Sequence, residues 1–207
     1  MIPCGGYFAG YVDDLRRQLK GRQIDLQRAR ERVHDLSVLD PLTGLTNRGS
    51  LVSAVAEEVE RGHRLEQPLA LILLDLDGFK AINREHGHEV GDRILQQVAE
   101  SLGERLRAID TVGRYGGEEF LVALPDMEVR EAERQAEALR RRLQRCRLSD
   151  EEGMPAITVS VGVAELHEGE GTWDLIGRVR AAADTATERG GDRVVTAEED
   201  RAPTTPG

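Results

Sequence analysis

The chain has 207 residues, 39% of them hydrophobic and 32% charged, with a formal net charge of −10. That length accommodates one domain of about 160 residues plus an appendage. The acidic balance excludes a general nucleic-acid or membrane-surface binder, since both need a basic field.

Met1 to Tyr11 is mildly apolar but lacks the basic start and long apolar core of a signal peptide. No run approaches the ~20 apolar residues that span a bilayer, so no membrane segment is expected in this chain. Residues 12 to 36 carry a helical pattern in which Val12, Leu15, Leu19, Arg22, Leu26, Ala29, Val33 and Leu36 alternate spacings of three and four. Apart from Arg22 the positions are apolar, which makes a heptad seam. A helix packed on its own domain would leave the same trace, but the charged flanks favour a short parallel coiled coil. Residues 1–37 are therefore expected to form a helical stalk, marginal on its own, with Gly21 and Arg22 weakening its middle.

From Asp40 the texture changes to alternating strands and helices, and residues 38–197 read as one α/β domain. Leu71 to Leu76 is a continuous apolar run of strand length, which predicts a strand buried on both faces. Ile94, Leu95, Val98 and Leu102 mark an amphipathic helix, and Ala132, Ala136, Leu139 and Leu143 mark another. Between them, Phe120 to Leu124 reads as a strand that follows two glycines and two carboxylates. Ile157 to Val163 predicts a further strand, Leu175 to Thr187 a helix and Val194 to Thr196 a last short strand. Residues 198–207 are polar and aperiodic, and a disordered tail is expected there. Cys4 and Cys146 share no ligand-like spacing and suggest no disulfide framework, which fits a reducing cytoplasm.

Asp75 and Asp77 stand where the buried strand ends, at the rim of the sheet, a common location for sites in α/β folds. Each alone could cap the next helix. With Glu118 and Glu119 on the hairpin they make four carboxylates that could converge, and such a cluster needs a hard cation such as magnesium. Gly116 and Gly117 are expected to allow positive φ in a tight turn and close approach of a ligand to the backbone. The chemistry implied is phosphoryl or nucleotidyl transfer. Further on, Asn83 is followed by His88 and Asp92, which are four apart and share a face if helical. An amide plus a carboxylate suits guanine: the carboxylate accepts from N1–H and the exocyclic amine. Helix caps or turn formers would give the same residues singly.

Asp40-Pro-Leu-Thr-Gly-Leu-Thr-Asn-Arg48, Asp75-Leu-Asp-Gly-Phe-Lys-Ala-Ile-Asn83, Gly87-His88, Gly91-Asp92, Arg114-Tyr-Gly-Gly-Glu-Glu-Phe120 and Ser160-Val-Gly-Val-Ala164 stand in the order and spacing of the GGDEF family. The resemblance covers roughly residues 38 to 197. It implies an α+β fold with a central, mostly antiparallel sheet flanked by helices, akin to the palm of nucleotidyl cyclases and polymerases. It also implies a diguanylate cyclase, which joins two GTP molecules into cyclic di-GMP and releases two pyrophosphates.

By that resemblance Asp75, the carbonyl of Leu76 and Glu118 hold two magnesium ions per half-site, with manganese as a substitute. Glu118 is also the candidate acceptor of the 3′-hydroxyl proton, and Glu119 supports the second ion or the nucleophile. Gly116 and Gly117 wrap the nucleotide, Asn83 and Asp92 read guanine with His88 beside them, and Lys80 neutralises triphosphate charge. Asp77 is better read as structural, and Arg114 as a brace for the hairpin. Arg107-Ala-Ile-Asp110 ends five residues ahead of Gly116, the offset of the family's product-inhibition motif. One of Arg140, Arg141 and Arg142 could complete that second site. A homodimer is expected, because the product needs two opposed GTP sites.

Two departures stand out. Arg84 follows Asn83 where aspartate is usual, and Thr187 and Gly191 occupy the positions of a phosphate-binding lysine and arginine. Losing two charged hydrogen bonds, at about 1.5–3 kcal/mol each, would weaken GTP binding, with Arg84, Arg189 or Arg193 as candidate compensators. The competing reading is a catalytically impaired domain that binds cyclic di-GMP as a receptor.

Overall fold

The computed structural model describes residues 37–145 and 157–197. The coiled-coil stalk expected over residues 1–37 lies outside them but for its last residue, and the tail expected over residues 198–207 lies outside them entirely. The described residues from Leu39 onward form one compact unit. Its elements are α1 (Arg48–Leu65), β1 (Leu69–Leu76), α2 (Phe79–His86), α3 (His88–Gly103), β2 (Thr111–Arg114), β3 (Glu119–Pro125), α4 (Val129–Arg145), β4 (Val159–Glu165), α5 (Thr172–Glu188) and β5 (Arg193–Thr196).

The five strands form one sheet in the order β2-β3-β1-β4-β5. The first three pairings are antiparallel and β4–β5 is parallel, so the expected mostly antiparallel sheet flanked by helices is what forms. β1 is central because it is apolar on both faces: Ala70, Ile72, Leu74 and Leu76 face one side, and Leu69, Leu71 and Leu73 the other. Each leucine or isoleucine among them contributes roughly 1.5–3 kcal/mol on full burial. The first side is covered by α2, α3 and α4, through Phe79, Ile94, Leu95, Ala136 and Leu139. The second is covered by α1 and α5, through Leu51, Val55, Leu175 and Val179.

Local chemistry fixes the ends of the elements. Asn47 caps α1, its Oδ1 accepting the Ser50 N–H at 2.9 Å. Gly78, at φ 69°, turns the chain out of β1 into α2. The strand expected over Ile157 to Val163 begins two residues later, at Val159. Ile157 and Thr158 lie outside the ladder, and the Thr158 hydroxyl donates to Asp77 at 2.7 Å. β1 begins at Leu69 rather than Leu71, since Leu69 and Ala70 still find partners in Pro125 and Leu124.

Candidate active site

The end of β1, the β2–β3 turn and the start of β4 meet at one edge of the sheet. In the ladder Asp75 lies opposite Glu119 on one side and Ser160 on the other. The turn is tied to β1 by the Leu76 N–H, which donates to the Glu118 carbonyl at 3.3 Å. Asp75 therefore sits beside the turn that carries both carboxylates of the hairpin. Its Oδ1 is buried and has no hydrogen-bond partner. Burial raises its pKa to about 6, reinforced by Glu119, Glu118, Asp77 and Asp184. An unpartnered carboxylate oxygen among like charges is the electrostatic condition that a cation relieves.

The four carboxylates do not converge equally. Asp77 is fully engaged: it accepts from the Thr158 hydroxyl, from the Ser160 hydroxyl at 2.7 Å and from the Asp192 N–H at 2.9 Å. It is an anchor between β1, β4 and β5, as its reading as structural implies. Glu119 accepts from Arg180 Nη2 on both oxygens, at 2.6 and 2.7 Å. Glu118 is left with Lys80, whose exposed Nζ lies 3.9 Å from its Oε1. Among the described residues no group of three His, Cys, Asp or Glu side chains is arranged to hold a metal alone. Asp75, Glu118 and a backbone carbonyl nevertheless fit magnesium, which typically takes one or two carboxylates and completes its shell with water and substrate phosphate.

The turn corrects one expectation. Gly116 and Gly117 are not among the glycines with positive φ. Gly116 is required for space, because a Cβ there would overlap the Glu119 carboxylate lying across it. The hairpin closes when Tyr115 and Gly116 donate to the Glu119 carbonyl at 2.9 and 3.2 Å. Arg114 braces it as expected, donating to the Gly117 carbonyl at 2.8 Å and reaching Asp40 at 3.4 Å.

Asn83, on α2, packs against Gly91 of α3 so closely that a Cβ at Gly91 would overlap its Oδ1. That oxygen is buried without a partner, the second orphaned polar atom at the site. His88 and Asp92 are both exposed on α3, Asp92 next to the glycine that Asn83 packs on.

Arg107 and Asp110 lie at the other end of the β2–β3 hairpin. The Asp110 carboxylate is buried and accepts the Arg107 N–H at 2.7 Å, Nε at 3.0 Å and Nη2 at 2.7 Å. Nη2 also donates to the Pro125 carbonyl at 2.8 Å. The two are thus paired with each other. Of the three arginines weighed beside them, Arg140 pairs with Glu137 and Asp192, Arg141 with Glu137, and Arg142 with Glu104 at the end of α3. Only Arg142 reaches toward the loop that carries Arg107.

Gly191 takes φ 71°, and a Cβ there would lie 2.9 Å from the Asp77 carboxylate, so glycine suits this turn. Thr187 is exposed on α5, and its hydroxyl returns to the Ala183 carbonyl at 3.2 Å. Arg189 and Arg193 line a groove of about 1060 Å³ between α4, α5 and β5. Arg180, which engages Glu119, carried no signal in the sequence: its partner is 61 residues away. No helix among the described residues is long and apolar enough to cross a membrane.

A family model described as "Diguanylate cyclase, GGDEF domain" matches residues 37–193. Diguanylate cyclase DgcP of Pseudomonas aeruginosa is 34% identical over 183 residues, covering 88% of this chain and 27% of that protein. The response regulator PleD of Caulobacter vibrioides is 37% identical over 164 residues, covering 78% of this chain and 36% of that protein. The chain thus spans about a quarter to a third of the length of these relatives. The GGDEF domain of DgcB from Caulobacter crescentus, solved in complex with c-di-GMP, superposes with a TM-score of 0.75 at 31% identity, covering 78% of this chain and 93% of that one. The active GGEEF domain of a diguanylate cyclase from Vibrio cholerae gives 0.70 at 32% identity, covering 75% and 99%.

Proposed function

Because the chain belongs to the GGDEF domain family, we propose that it is a cytoplasmic diguanylate cyclase, condensing two GTP into cyclic di-GMP with release of two pyrophosphates. One observation carries the reading: the buried, partnerless Asp75 Oδ1 among carboxylates at the end of β1. Asp75, Glu118 and the Leu76 carbonyl would hold two magnesium ions per half-site. When bound, magnesium supplies charge neutralisation at the phosphates.

The protein's own residues supply the rest. Asn83 and Asp92 take the guanine, the amide through its orphaned terminus and the carboxylate at N1–H and the amine. His88 stands beside them on α3. Gly116 gives the Glu119 carboxylate its room, and Gly117, where a Cβ would meet nothing within 4 Å, leaves the turn open for the nucleotide. The 3′-hydroxyl of one GTP attacks the α-phosphorus of the other; a P–O bond forms, the bond to pyrophosphate breaks, and Glu118 accepts the hydroxyl proton. Lys80, exposed and close to Glu118, offsets the charge that accumulates on the departing pyrophosphate. Two such transfers close the ring, so two half-sites on two subunits must face each other. Product returning to Arg107 and Asp110 would stop this, by opening their mutual pair and taking both groups.

The second reading, a cyclic di-GMP receptor with an impaired site, draws its support from Thr187 and Gly191. The discriminating experiment is incubation of purified protein with GTP and magnesium, followed by chromatographic separation of products. Cyclic di-GMP and pyrophosphate in a 1:2 ratio are expected. No product, together with tight binding of added cyclic di-GMP, would establish the receptor instead.

A further inference from the structure

α5 lies on the same face of the sheet as Asp75 and Glu119, and Gly162 lets it come close. A Cβ at Gly162 would run into the Val179 carbonyl and lie 2.6 Å from the Ala183 nitrogen. Arg180 stands between those two contacts, so its backbone is held against β4. Its guanidinium is fixed further out by the buried Tyr115 ring, whose centroid lies 5.2 Å from Arg180 and 4.9 Å from Arg48. From there Nη2 engages both Glu119 oxygens. Glu119 in turn is confined by the backbone of Gly116, across which its carboxylate lies.

This arrangement settles which carboxylates are open to a cation. Glu119 is a ladder neighbour of Asp75 and by position alone would join it in binding. Yet both of its oxygens are occupied by a guanidinium that stays protonated at any accessible pH, in a charge-assisted contact. We propose that Arg180 is a positioning residue of the cation site: it holds Glu119 out of the coordination shell, so that Asp75 and Glu118 are the only side-chain ligands. The consequence is a weakly charged shell that stays loosely loaded until the triphosphate brings its own oxygens. Releasing Glu119 would add a third carboxylate and tighten cation binding in the absence of nucleotide. This inference rests on the cation-dependent reading of Asp75 and Glu118 above.

The test is direct Mn2+ binding to the full chain without nucleotide, read from the electron paramagnetic resonance signal of the free ion. Arg180→Gln is expected to tighten Mn2+ binding about three- to tenfold, as affinity follows ligand charge count. In a Glu119→Gln background the same change should have little effect. An equal gain in that background would mean that Arg180 acts only as a distant charge, and would overturn the proposal. So would unchanged affinity in the single variant. Should Arg180→Gln fail to fold, Glu119→Gln alone carries the test. A residue held outside the shell can be neutralised with less than about a threefold change, whereas loss of a ligand weakens binding tenfold or more. Absence of Mn2+ binding in every protein, wild type included, would instead remove the cation site itself, and this inference with it.

Discussion

Asp75 keeps one carboxylate oxygen buried and unpartnered while Glu119, Glu118, Asp77 and Asp184 act on it, so its ionised form is costly in the cation-free protein. The sign is that of a raised acid: between the ordinary value of 3.8 and about 6 the folded state binds the extra proton, and stability falls as pH rises through that window. Full conversion would give about 3 kcal/mol; because the carboxylate is partly open to water, screening reduces this to about 1–2 kcal/mol. In EDTA at pH 7.5, Asp75→Asn should therefore raise the unfolding free energy by about 1–2 kcal/mol, measured by urea titration. The gain should vanish by about pH 3, where Asp75 is protonated in both states, and cyclase activity should be lost at every pH. Glu118→Gln makes a different prediction. It keeps volume and removes a ligand and the proton acceptor, so synthesis should fall by about 10²-fold or more with thermal unfolding unchanged. Near-normal turnover in that variant would remove Glu118 from the chemistry.

Between elements, the loop from α3 to β2 owes its shape to Arg107, which holds Asp110 at its end and the Pro125 carbonyl at the end of β3. Arg107→Ala should cost about 1–2 kcal/mol in stability for the lost charged hydrogen bonds. It should also relieve product inhibition without eliminating catalysis, because the loop lies at the opposite end of the hairpin from Glu118. Progress curves that stall at the same product concentration in both proteins would exclude this motif as the inhibitory site. The elements themselves were legible in proportion to their periodicity. α3 and α4 stand out because their buried positions repeat at about 3.6 residues, and β1 because it is an unbroken apolar run of strand length. α1 is weaker, with Leu51, Val55 and Val59 four apart among charges. β4 was displaced by two residues because Thr158 and Ser160 look like an ordinary alternation, although both serve Asp77. Asp75 and Glu118 were legible as carboxylates at a strand end and a turn, and Asn83 as an amide ahead of His88 and Asp92. Arg180 was not, and neither was the reason for Gly116, because both depend on where the Glu119 side chain points. No local spacing encodes that.

At the scale of the whole molecule, the proposed reading gives each domain one nucleotide site, whereas the proposed product needs two in opposition. A C2 homodimer follows from the proposed chemistry, and the heptad seam from Val12 to Leu36 would raise the effective concentration of one domain at the other, to the order of millimolar. Replacing Leu19 and Leu26 with charged residues should lower specific activity most at low protein concentration, with recovery as concentration rises. Activity independent of both would rule out the seam as the dimerising element. Within one domain, the anchor at Asp77 has a consequence for biosynthesis. It draws its donors from Thr158, Ser160 and Asp192, so the strand end that bears Asp75 is completed by residues 81 to 115 positions further along the chain than Asp77. A nascent chain halted ahead of Gly191 would already contain Asp75, Asn83 and Glu118, yet lack the final donor that fixes their platform and the strand that covers β4. Translation order therefore withholds the finished platform until β5 has emerged, and a nascent domain halted earlier would carry Asp75 without its complete anchor.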